Sequence, residues 1–143
     1  MIDSVVDASL LGLANGNLDG RRPGNALDKR LRVIQQVNSG ARRLRYNSRL
    51  LLEYRNIVKA MRNDLIEAFF LVLDQKGVLV ATNRLSRQNF EKATACRWPS
   101  HDQHLLAAAI GGTRPDLLVT EELLASRKSC IRQSLRVTVH QVS

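Results

Sequence analysis

Asp7, Glu53, Asp102, Glu121 and Glu122 are the side chains of this sequence whose types and placement could do chemistry. Carboxylates are hard oxygen donors, and several of them on separate elements suit Mg²⁺ or Mn²⁺ when the chain draws them together. Crowded acids repel one another, and burying such a set is hard to justify without a compensating cation. A divalent ion held there can activate a water for in-line attack on a phosphodiester and stabilise charge on its oxygens. The competing chemistries lack their residues. The one GG pair, Gly111-Gly112, follows a helical pattern instead of preceding one, so there is no phosphate loop of the usual kind. His101, His104 and His140 lack zinc-ligand spacing, and no GxSxG elbow is present. A phosphoryl-acceptor role for Asp7 lacks a second Asp two residues on and a Lys after a late strand.

Elements must bring these acids to one place. From Trp98 to Glu122, Ser100 and Gln103 read as a capping box that opens a helix, with Asp102 in its first turn. Leu105, Leu106, Ala109 and Ile110 form its buried stripe, Gly111 and Gly112 stop it, and Asp116 to Thr120 reads as a short buried strand. Glu121 and Glu122 follow that strand at once. Near the start, Val5-Val6 ends a buried strand, Asp7 comes next, and Ala8 to Leu13 begins a helix. Acids placed just past parallel strands lie at the ligand crevice of an open α/β sheet. A lone Asp at a helix start is also an ordinary N-cap, and Ser9 is placed to hydrogen-bond a metal-bound water. Asn47 or Ser48 opens a helix with Leu50, Tyr54, Ile57, Val58 and Met61 in one stripe. Glu53 falls about 40° outside that stripe, at the margin of the core. Taken alone it is an exposed Glu beside Asn56 or Arg49.

The rest reads as scaffold. Asn15 to Gly24 is a basic loop, Asn25 to Asn38 a helix, and Arg42 to Tyr46 a short basic strand. Asn63 or Asp64 opens a helix whose run Phe69 to Leu73 is apolar all round, fit for the core or a subunit interface. Gly77 to Ala81 is a turn and short strand, Ser86 to Ala95 a polar helix or loop, and Cys130 to Val142 a final strand.

With 143 residues, 44% of them hydrophobic, the chain supports one domain, residues 1–143. It has no run of about 18 apolar residues and no signal-peptide pattern at Met1-Ile2-Asp3-Ser4. A soluble intracellular protein is therefore expected. Cys96 and Cys130 have neither metal nor redox spacing and read as reduced, partly buried thiols. The net charge is +9, and twelve Lys or Arg stand against Asp28 and Glu53 between Arg21 and Arg62. Such a field favours a polyanion, nucleic acid first and an acidic protein second, although a solvated surface has the same composition. With so few aromatics, a base-stacking platform is not expected.

Four stretches, VVDASLL, SRLLLEYRNIV, HDQHLLAAAIGG and DLLVTEELL, occur in an order and spacing that resembles the PIN domain, in particular the toxin-like PIN proteins of bacterial toxin–antitoxin pairs. The resemblance covers nearly the whole chain and rests on the four stretches jointly. It implies a three-layer α/β/α fold with a central parallel sheet and a Mg²⁺- or Mn²⁺-dependent endoribonuclease. By the same resemblance Asp7, Glu53, Asp102 and Glu122 are the catalytic acids, with Asp7, Asp102 and Glu122 on the metal. Thr120 and Ser9 match small polar residues that support them. Glu122 stands where the family usually has Asp, and Glu121 is able to fill that place instead. Further implications are a homodimer, a cognate antitoxin that covers the acidic crevice and a cytoplasmic location; by their charge, Arg21, Arg22, Arg42, Arg43 and Arg45 are the expected contacts to the RNA backbone. A PIN-like RNA-binding module without nuclease activity is the alternative that the Glu-for-Asp change and the charge raise.

Overall fold

A computed structural model describes residues 2–16, 25–59 and 62–142. In chain order these form β1 (Ile2–Val6), α1 (Ala8–Gly16), α2 (Asn25–Asn38), β2 (Arg42–Tyr46), α3 (Ser48–Ile57), α4 (Asp64–Lys76) and β3 (Val78–Leu79). There follow α5 (Arg87–Ala95), a 3-10 turn (Ser100–Asp102), α6 (Gln103–Ala109), β4 (Asp116–Val119), α7 (Glu122–Ala125), α8 (Lys128–Leu135) and β5 (Thr138–Gln141). The strands make one all-parallel sheet in the order β3-β2-β1-β4-β5. This is the three-layer α/β/α arrangement: α1, α2 and α4 pack on one another over one face, and α6 packs against β1, β2 and β4 over the other. Val5, Val6, Leu117 and Val119 are fully buried, as continuous apolar runs must be when helices cover both faces. No helix among the described residues is long and apolar enough to cross a membrane.

The register is set by a polar network at the amino end of the sheet. Asp3 is 1% exposed and lies opposite Arg43, which donates to it from Nε at 2.6 Å and Nη2 at 3.0 Å. The Thr113 amide donates to the same carboxylate at 2.7 Å. These bonds, led by that of Arg43, hold the Asp3 carboxyl below its ordinary range. One strand over, Arg42 bridges Ser4, Asp116 and Gln36. Gly112 is needed there, because a Cβ would meet Arg45 at 2.9 Å and Asp3 at 3.0 Å.

Several expectations change. Ser100 and Gln103 do not form a capping box: Ser100 starts the 3-10 turn, Asp102 precedes α6 without a side-chain cap, and Gln103 accepts from the Leu85 amide. Cys130 to Leu135 belongs to α8 instead of the last strand, because only Val137 and Val139 keep the alternation that buries one face. Cys96 and Cys130 are not separate thiols. The packing of α5 on α8 brings their Cα atoms within 5.6 Å, and the sulfurs are bonded. Ile57 is 45% exposed at the end of its stripe, and Leu71 is 57% exposed, so the run Phe69 to Leu73 is amphipathic. Met61 and most of the loop to Gly24, with Arg21 and Arg22, lie outside the described residues.

Replacing Asp3 by Ala removes the acceptor of the Thr113 amide, while water can reach the exposed Arg43 guanidinium. Urea unfolding at neutral pH should show a loss of about 1–3 kcal/mol. A loss below about 0.5 kcal/mol would place the register elsewhere.

Candidate active site

The sheet changes direction of winding at β1, with β2 on one side and β4 on the other, and the site lies at the carboxyl ends of β1 and β4. Asp7 is the first residue past β1, and its amide donates to the Leu118 carbonyl of β4 at 2.9 Å. Ser9 Oγ and Thr120 Oγ1 are 2.6 Å apart, which ties the first turn of α1 to the end of β4. Asp102 closes the 3-10 turn, which is held by the buried Trp98 indole N–H donating to the Asp102 carbonyl at 3.0 Å. Asn47 is fully buried beneath this end. It caps α3 by accepting from the Leu50 amide and donates to the carbonyls of Thr82 and His104, so one amide joins three segments. Tyr54 lies buried behind the site, and its hydroxyl donates to the Val6 carbonyl just before Asp7.

The electrostatics bring the acids together. Burial pushes the Asp7 carboxyl up to about 6, and the charges of Asp102 and Glu121 add to the shift while hydrogen bonding from Ser9 opposes it. Burial also raises the Asp102 carboxyl; Glu53 adds to this, and His101, His104 and Arg49 oppose it. Asp7 and Glu53 in turn push the Tyr54 hydroxyl up, after burial. Among the described residues no Lys, Arg or His forms an ion pair with Asp7 or Glu121.

Of the expected site residues, Asp7, Asp102, Glu53, Ser9 and Thr120 meet at this end of the sheet. Glu53 reaches it in contact with the Nε2 of His104, a 4% exposed residue in the first turn of α6. Glu121, not Glu122, is the strand-end acid whose charge acts on Asp7. Glu122 begins α7 and lines a cavity against Val139, His140 and Gln141 of β5. Arg42 and Arg43 lie at the opposite end of the sheet, committed to Asp116 and Asp3. Arg45 donates to the carbonyls of Ala108 and Ile110 where α6 ends. None of these three joins the acids. His104 and Asn47 were not foreseen as parts of the site. Their partners are 51 and 57 residues away in the chain, so no local spacing signals them.

Among the described residues, no three His, Cys, Asp or Glu side chains stand close enough together to form a ready metal site. The donors nonetheless suit a divalent ion by type: Asp7, Asp102 and Glu121 are hard oxygen ligands whose mutual repulsion a cation would relieve. No family model matches the sequence, and no curated protein matches it.

The raised Asp7 carboxyl fixes a pH dependence. Above about pH 6 the folded chain carries an ionised, buried Asp7 at a cost, and below about pH 4 that cost is gone. Asp7→Asn should therefore raise unfolding stability in EDTA at pH 7.5, by on the order of 2–3 kcal/mol. The gain should fade as the pH drops from 6 to 4. Denaturant unfolding at several pH values reads this directly, and a variant less stable than the parent at pH 7.5 would contradict it.

Proposed function

We propose that this chain is a PIN-like endoribonuclease that needs Mg²⁺ or Mn²⁺ to hydrolyse RNA phosphodiester bonds. The observation that carries the reading is the placing of the buried Asp7 carboxylate under the charges of Asp102 and Glu121 at the carboxyl ends of β1 and β4, where among the described residues neither Asp7 nor Glu121 has an ion-pair partner. Asp7, Asp102 and Glu121 are the residues that would hold the ion. When bound, the ion would supply an activated water and charge neutralisation at the phosphoryl oxygens. Ser9 and Thr120, joined to each other, fix the two strand ends and offer hydroxyls to water or phosphate. Glu53, steadied by His104, is a further acid at the margin of the crevice.

The four sequence stretches extend the proposal to the toxin half of a toxin–antitoxin pair, acting in the cytoplasm as a homodimer with an antitoxin over its crevice. A second reading, an RNA-binding PIN-like module without nuclease activity, is favoured by Glu122 where the resembled family has Asp and by the net charge of +9.

Cleavage of a mixed structured RNA with Mn²⁺, with Mg²⁺ and with EDTA separates the two. The nuclease reading expects metal-dependent cutting that falls by about a hundredfold or more in both Asp7→Asn and Asp102→Asn. RNA binding without cutting by any form would leave the second reading.

A further inference from the structure

A cleft of about 300 Å³ opens beside Asp102, where the start of α3, the loop after β3 and the 3-10 turn meet. Arg49, Arg84, His101, Asn83 and Gln103 line it; among the described residues no carboxylate does, although Asp102 Oδ2 stands 3.3 Å from His101 Nε2 at its margin. Arg49 and Arg84 are exposed, and both are bonded through their backbone amides: Arg49 to Asn83 Oδ1 at 3.0 Å and Arg84 to Thr82 Oγ1 at 3.2 Å. Asn83 also donates to Ser48 Oγ at 2.8 Å, so the loop carrying Arg84 is anchored to the helix carrying Arg49. Two guanidinium groups are thus set on a fixed frame, with no ion-pair partner among the described residues. This contrasts with Arg42 and Arg43, which are paired with Asp116 and Asp3.

We propose that the cleft is a phosphate subsite, in which Arg49, Arg84 and His101 hold the backbone of a nucleic-acid strand whose neighbouring phosphodiester lies at Asp7 and Asp102. A guanidinium fork matches phosphate oxygens in geometry and charge. The chain has few aromatic side chains on which bases could stack, which favours contact with the backbone. Asp102 separates this cationic cleft from the acidic crevice, so a strand crossing both meets a metal site and an arginine site in succession. The inference rests on the nuclease reading for its substrate, and its test does not depend on cleavage.

The test is fluorescence anisotropy of a short uridine-rich RNA, its DNA counterpart and a polyglutamate peptide, in EDTA, over a range of salt. Arg49→Ala and Arg84→Ala should each weaken strand binding about tenfold at low salt and lower the salt slope by about one. Arg49→Lys and Arg84→Lys should keep the slope, since the charge is retained. Arg87→Ala, on an exposed arginine paired with Glu91, should leave it unchanged. The RNA and DNA arms identify the strand, and loss of slope on either supports the subsite. Polyglutamate bound as tightly as the strands, or both alanine variants keeping the parent slope, would overturn it. Metal-dependent cleavage with unaltered binding in those variants would sink the subsite and leave the nuclease standing. Weakened binding in a protein that never cleaves would do the reverse.

Discussion

The burial of the Asp7 carboxylate under the charges of Asp102 and Glu121 is the constraint on which the functional reading of this structure depends. Both ends of the parallel sheet carry acids, and the fold treats them in opposite ways. At the amino end Asp3 and Asp116 each receive a guanidinium from β2, and the Asp3 carboxyl is held down. At the carboxyl end Asp7 is pushed up to about 6 by burial and by its acidic neighbours. A chain with twenty-two Lys and Arg residues has cations enough to neutralise that end. Among the described residues Asp7 and Glu121 pair with none of them, a lack that the proposed divalent ion would compensate.

The supports of the cluster follow from that cost. Asp7 is held by its amide on Leu118, and the preceding carbonyl is held by Tyr54, so the charged side chain hangs from a fixed backbone. Asn47 ties α3, the loop after β3 and the start of α6 together. His104 gives Glu53 a partner where a second uncompensated acid would add to the strain.

The layer order and most elements were legible because they rest on local signals. Val5-Val6 and Asp116 to Val119 are apolar runs too short for helices. Asn47 and Asn63 stand as caps where the periodicity begins, as both do in the structure. The capping box at Ser100 failed because Gln103 is drawn to the Leu85 amide by a loop that no local pattern reveals. The choice between Glu121 and Glu122 turns on where α7 starts, a one-residue matter beyond periodicity. The basic strand was read as a nucleic-acid contact because charge has no direction in a sequence. Pairing with β1 showed that Arg42 and Arg43 belong to the other end of the sheet. The Cys96–Cys130 bond arises from the packing of α5 on α8, which likewise leaves no spacing signal.

Titration of Mn²⁺ into the protein, followed by calorimetry or by the paramagnetic signal of the free ion, reads the acidic end of the sheet itself. A bound ion is expected whose affinity falls about tenfold or more in Asp7→Asn, Asp102→Asn and Glu121→Gln, and stays within about twofold in Glu122→Gln. A parent protein that binds no Mn²⁺, or one that loses it in Glu122→Gln and keeps it in Glu121→Gln, would contradict the account.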